Sequence, residues 1–186
     1  MIVFLDFEAS SLGKHSYPIE VAWVFEDGRT TSYLIKPAAG WSDWDESAQA
    51  IHGIERETLL AEGTSHEVVA EQMLVALSGH ALYASAPSWD GKWLSALLRA
   101  AGLPRHALRL QDSDDLLHET ANEILAPHSL GAAIEREVAN ILALTEVRDD
   151  HVPAHRALPD AVAERERWLA VRAAAQASLA SRIPHG

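Results

Sequence analysis

The run Ile2-Val3-Phe4-Leu5-Asp6-Phe7-Glu8 sets the strictest condition on the fold. Its first four residues are apolar without alternation, and a strand of that kind must be covered on both faces. Two carboxylates then break the run. Alternate residues of a strand point to the same side, so Asp6 and Glu8 project together. Unpaired buried carboxylates are costly, and a cation is the economical partner for them.

The remaining sequence supplies the covering layers. Pro18 to Phe25 is a second strand and Thr31 to Ile35 a third, joined by the turn signal Glu26-Asp27-Gly28. Trp41 to Leu60 reads as short helices and loop. Thr64 with Glu67 forms a capping box for a helix through about Leu77, stopped by Gly79. Ala81 to Ser85 is a fourth strand, and Trp89 to Ala101 a helix with Trp93, Leu94, Leu97, Leu98 and Ala101 on one face, ended by Gly102. Leu108 to Leu110 is a fifth strand. Helices follow at Leu116 to Leu125, Ser129 to Ile141 and Leu158 to Ser181, and the polar stretch Thr145 to Pro153 is a loop. The expectation is an α/β fold: a mixed β-sheet of about five strands flanked by helices, in one domain spanning 1–186.

Composition narrows the chemistry. Hydrophobic residues at 48% and charged residues at 23% are globular values, which set disorder aside. The absence of cysteine excludes disulfides, thiolate metal sites and a cysteine nucleophile. His66-Glu67 and His118-Glu119 lack the second histidine of a zinc-protease helix, and no Gly-x-Gly-x-x-Gly, P-loop or Gly-x-Ser-x-Gly occurs. No segment has the roughly 18 apolar residues that span a bilayer, and Met1 leads into a strand rather than a signal peptide, so a soluble, cytoplasmic protein without a membrane partner is expected. The net charge of -12 argues against a broad electrostatic grip on long nucleic acid.

Further acids can join the pair. Asp90 falls in the first turn of a helix just after the fourth strand, and Asp160 follows Pro159, which suits the first position of the last helix. His155 precedes that helix, and an imidazole, with an unperturbed pKa of about 6.5, suits general-base work. Hard divalent cations choose carboxylate oxygens, and two of them about 3.5–4 Å apart stabilise both attacking and leaving oxygens in phosphodiester hydrolysis.

Phe4-Leu5-Asp6-Phe7-Glu8-Ala9-Ser10-Ser11-Leu12, Ile51-His52-Gly53-Ile54, the mid-chain Asp90 and His155-Arg156-Ala157-Leu158-Pro159-Asp160-Ala161 occur in this order over nearly the whole chain. Together they resemble the DEDDh, or DnaQ-like, 3′-to-5′ exonuclease family of ribonuclease H-like fold. The resemblance implies two Mg²⁺ or Mn²⁺ ions on Asp6, Glu8 and Asp160 with Asp90 assisting, and His155 as the base that deprotonates the attacking water. It implies release of nucleoside 5′-monophosphates from single-stranded DNA or RNA 3′ ends or short oligonucleotides. Ser11, Leu12, His52 and Ser85 match substrate-contact positions. Ser10-Ser11-Leu12 replaces the usual Thr-Gly-Leu, and Ser85 takes the place of an asparagine, so substrate contacts depart from the family pattern more than the metal ligands do.

Leu12 is equally readable as core, and Trp41 and Trp44 as core or as platforms for bases. A binding module that retained the fold and a small-nucleotide phosphodiesterase are the alternative functions. In 186 residues without a partner domain, the chain acts alone, forms a homodimer or docks on something larger.

Overall fold

The structure, a computed structural model, describes residues 1–128, 132–146 and 155–181. Its strands are β1 (Ile2–Ala9), β2 (Pro18–Phe25), β3 (Thr30–Lys36), β4 (Thr64–Ser65), β5 (Ala81–Ala84) and β6 (Leu110–Asp112). Its helices are α1 (Glu46–His52), α2 (Arg56–Glu62), α3 (His66–Leu77), α4 (Pro87–Ala100), α5 (Ser113–Leu125), α6 (Ala132–Thr145) and α7 (Ala157–Ala180). The sheet order is β4-β3-β2-β1-β5-β6, antiparallel across β3-β2-β1 and parallel from β1 through β5 to β6. This is the expected mixed α/β sheet flanked by helices.

The apolar run of β1 is central, and its two faces feed two cores. Val3, Leu5, Phe7 and Ala9 pack with α3 and α4 through Met73, Leu77, Leu94 and Leu97. Phe4, on the other face, packs with Trp168 and Val171 of α7 and Leu117 of α5. Asp6 and Glu8 share the parity of Phe4, so strand alternation turns both toward the α7 layer. A smaller cluster of Tyr17, Ile19, Ile54 and Leu59 joins β2, α2 and the turn between α1 and α2. Trp41 stacks on Tyr17 there, with ring centroids 5.0 Å apart, and Trp44 packs against the same cluster. Both tryptophans are therefore packing residues.

Local rules decide the places where expectation and structure differ. A sixth strand, β4, is only two residues long; it takes Thr64 into pairing with Ile35, so Ser65 and not Thr64 caps α3, accepting a hydrogen bond from the Val68 amide. The strand expected at Leu108 to Leu110 lies at Leu110–Asp112, because Leu108 is drawn into the core ahead of it and Leu110 pairs with Leu82. The last helix starts at Ala157, which puts Pro159 third in the helix; an amide there has no partner within the helix, so proline is still tolerated. The helix expected from Ser129 is described from Ala132 and runs to Thr145. Of the loop expected at Thr145 to Pro153, Arg148, Asp149, Asp150 and His151 lie outside the described residues. Among the described residues, no helix is long and apolar enough to cross a membrane.

Candidate active site

Three elements bring the acids together. β1 presents Asp6 and Glu8 on one face, and α7 crosses that face so that Asp160, in its first turn, meets them. One carboxylate oxygen from each of the three lies within 4.8 Å of the others. Asp90 comes from the opposite layer, in the first turn of α4, and adds to the negative field at Asp6. It is 2% exposed, and its Oδ2 has no hydrogen-bond partner.

The electrostatics follow from that crowding. Burial, then the charges of Asp90, Glu8, Asp160 and Glu164, push the Asp6 carboxyl well above the usual range. Glu8 rises to about 7, first through burial and then through Asp160 and Glu20, with Arg156 opposing. Burial pushes Asp90 to about 7 against the pull of backbone hydrogen bonding at Ala86, Phe7 and Asp90 itself. Adjacent buried carboxyls cannot all ionise unless a cation joins them. The donor set is all oxygen, which suits a hard divalent ion such as Mg²⁺ or Mn²⁺.

Beside the acids is a pocket of about 230 Å³ lined by Glu8, Ser11, Leu12, His52, Trp93 and His155, among others. Ser11 is buried, donates its hydroxyl hydrogen to Asp43 and accepts from the Gly13 amide at 2.9 Å. Leu12 is 69% exposed, which rules out the core reading and leaves its side chain over the pocket. His52 is buried at the end of α1. Its Nδ1 accepts from the Ile54 amide at 3.0 Å, its Nε2 is buried without a partner, and burial holds its pKa below the usual imidazole value. The hydrogen of this neutral ring therefore sits on Nε2, free to be donated. Ser85 is exposed on the turn between β5 and α4, outside the residues lining this pocket.

His155 precedes α7 with φ at +47°, a backbone region that non-glycine residues seldom occupy. Its neighbour explains how it is held there. Arg156 donates Nε and a terminal nitrogen to the two oxygens of Glu20 at 2.9 and 2.6 Å, and the Ala157 amide donates to Glu20 at 3.0 Å. Glu20 sits directly opposite Glu8 across the β1-β2 pair, beside a bulge where β2 carries Ile19 as an extra residue. Two like charges in that register repel, and Arg156 neutralises one of them.

The sequence reading passed over Glu20 and Arg156. The available signal was the one used for Asp6 and Glu8: a lone carboxylate in an otherwise apolar strand, Pro18–Phe25, needs a cationic partner. Glu164, one turn beyond Asp160 and hydrogen-bonded to the Ser113 hydroxyl at 2.7 Å, was also missed. Helical i, i+4 spacing from Asp160 marks it.

No protein-family model and no curated protein matches the chain. Solved structures do. E. coli Exonuclease I in complex with a dT13 oligonucleotide superposes with a TM-score of 0.63 at 16% identity, over 97% of this chain and 42% of the other. The fold is that of the matched part of exonuclease I. A moderately thermophilic exonuclease I from Methylocaldum szegediense gives 0.62 at 16% identity over 97% and 43%. The zinc-bound E. coli exonuclease I complex with single-stranded DNA gives 0.59 at 19% identity over 99% and 41%. The present chain thus spans less than half the length of these exonuclease I chains.

Proposed function

We propose that the protein is a divalent-metal-dependent 3′-to-5′ exonuclease of the DEDDh type, acting on single-stranded DNA or RNA ends or on short oligonucleotides. The observation that carries this reading is the convergence of Asp6, Glu8 and Asp160 oxygens within 4.8 Å on a fold shared with exonuclease I. Asp6, Glu8 and Asp160 would hold two Mg²⁺ or Mn²⁺ ions, with Asp90 completing the set. Ions there supply positive charge to the developing oxyanions of a phosphodiester.

The chain's own residues do the rest. His155, which lines the pocket just ahead of α7, takes the proton of the attacking water as the new oxygen–phosphorus bond forms. The bond to the penultimate 3′ oxygen breaks, and a nucleoside 5′-monophosphate leaves. Leu12 covers the terminal base, and the Nε2 hydrogen of His52 is donated to the terminal nucleotide. The Glu20–Arg156 pair fixes the backbone on which His155 sits, and the Arg156 charge offsets part of what Glu20 adds at Glu8.

The test is release of mononucleotide from a 3′-labelled single strand with Mn²⁺, and its loss on chelation. Asp6→Ala and Asp160→Ala abolish turnover and weaken Mn²⁺ binding in calorimetry. His155→Ala lowers turnover by about 10²–10⁴-fold, the usual worth of a general base, and leaves Mn²⁺ binding intact. Equal loss of Mn²⁺ binding in all three variants contradicts these roles, and absence of any mononucleotide release sinks the enzymatic reading.

A further inference from the structure

Charge along this chain is segregated. From Gly91 to Gln111 there are four basic residues, Lys92, Arg99, Arg105 and Arg109, and no Asp or Glu, although the chain carries 27 acids. The fold turns this stretch into a groove. An open cleft of about 500 Å³ runs between the first half of α4 and the segment leading into β6, with Lys92, Ser95, Arg105, His106 and Arg109 on its walls and the buried Leu94 and Leu108 at its floor. Arg105, His106 and Arg109 are exposed, and among the described residues none of them makes an ion pair. Other basic residues of the chain are spent on acids: Arg29, Arg156, Arg165 and Arg167 are all paired.

The groove begins where the candidate active site ends. Gly91 and Lys92 directly follow Asp90, and Trp93 lines the pocket beside the acids while its neighbours Lys92 and Leu94 line the groove. Lys92 also ties the two together. Its Nζ donates to the Gly13 carbonyl at 2.7 Å and to the Ser16 hydroxyl at 2.9 Å, in the loop that follows Ser11 and Leu12. An ammonium has three donors, so one remains for an outside acceptor. A second cleft of about 410 Å³ shares His106 and Arg109 and adds His80, extending the basic face along the edge of the sheet.

We infer that this groove binds the phosphodiester backbone of the strand upstream of the 3′ end, a conclusion that rests on the nuclease reading above. A polyanion whose end enters the pocket must lay its remaining length along a surface that is otherwise acidic. The acid-free stretch adjoining Asp90 offers it fixed cations instead. Arg105 and Arg109 are the principal phosphate ligands, Lys92 the contact nearest the site, and the leucine floor takes sugar and base edges. Phosphate contacts of this kind carry no base specificity. They make affinity depend on strand length and on salt: three cations predict a slope of log K against log salt of about -2, at roughly -0.7 per phosphate for single strands.

The test uses the full chain and the double variants R105A/R109A and R105E/R109E, whose altered side chains are exposed. One arm measures fluorescence anisotropy of a labelled oligothymidine of about 20 nucleotides across a salt series, with Ca²⁺ to prevent turnover. The other measures Mn²⁺-dependent hydrolysis of the p-nitrophenyl ester of thymidine 5′-monophosphate, which is too small to reach the groove. The expected result for R105A/R109A is affinity weakened on the order of tenfold at low salt and a slope reduced to about -0.7, with ester hydrolysis equal to wild type. R105E/R109E weakens binding further. Unchanged affinity and slope in both variants overturn the assignment, and so does competition by polyglutamate as effective as by unlabelled oligothymidine. A wild type that hydrolyses neither ester nor oligonucleotide refutes the nuclease reading, while the anisotropy series still decides the groove.

Discussion

Replacing Asp90 by asparagine keeps the volume of a side chain that is 2% exposed and removes only its ability to ionise. In the folded protein burial raises this carboxyl from an ordinary 3.8 to about 7, whereas in the unfolded chain it returns to the ordinary value. A carboxyl whose folded pKa is raised contributes its full stability below the unfolded pKa and loses it as pH rises through the folded one. At about 1.4 kcal/mol per pKa unit the full loss has a ceiling of about 4 kcal/mol, part of it already gone at pH 5. Without metal, wild type therefore loses stability from about pH 4 to pH 7, and Asp90→Asn escapes that loss. The variant's advantage should widen by about 2–3 kcal/mol between about pH 5 and pH 8, or roughly 5–10 °C in Tm for a chain of this size. Thermal and urea melts in chelator at a series of pH values read it directly. Saturating Mn²⁺ should then narrow the gap, because only the ionised aspartate gains from the cation, and turnover of the variant should fall. A stability difference that stays constant from pH 5 to pH 8 would refute the claim that Asp90 is a protonated, cation-seeking carboxyl.

Glu20→Gln leaves Arg156 without its partner and weakens the acceptor for the Ala157 amide; since Arg156 is half-exposed, the loss in urea unfolding should be about 2–3 kcal/mol, below that of a fully buried pair, with turnover lowered as His155 loses its anchor. Gly63→Ala should cost about 3 kcal/mol or more in the same assay, because an added Cβ would come within 2.3 Å of the Leu59 carbonyl oxygen and 2.7 Å of the Lys36 nitrogen, and both are backbone. Trp168→Ala, which empties the core against Phe4 and breaks the bond from its indole nitrogen to Thr120, should destabilise by about 3–5 kcal/mol without changing the pH dependence of turnover. Leu12→Ala should raise KM for a single strand and leave Tm unchanged, since this side chain is 69% exposed; a fall in Tm would mean that it packs rather than binds.

The long periodic elements were legible because their apolar spacing leaves a single satisfactory burial. β1, β2 and α4 fall within two or three residues of the sequence reading for that reason. Two-residue β4 has no period to read, and its existence depends on Ile35 and Lys36 offering a free edge. Thr64 and Ser65 are equally good caps by composition; strand pairing chose between them. At the site, the common face of Asp6 and Glu8 follows from strand alternation, and Asp160 meets them because α7 crosses β1. Glu20 and Arg156 are 136 positions apart, and each alone reads as an ordinary charged residue. Their meeting depends on the register that sets Glu20 against Glu8, which no local pattern contains.

The sheet ends in a two-residue strand on one side and a three-residue strand on the other. An edge serves as a template for another chain through a row of free amides and carbonyls; the β6 side offers only a short row, whereas β4 covers just Ile35 and Lys36 of β3 and, among the described residues, leaves Thr30 to Leu34 without a strand partner on that side. Arg109, just before β6, adds a charge that a neighbouring strand would have to bury. Extension of the sheet by a second copy is therefore disfavoured past β6, and the longer open border is that of β3. The short β6 border protects that side of the folded molecule from the edge-to-edge stacking that seeds fibrous aggregates.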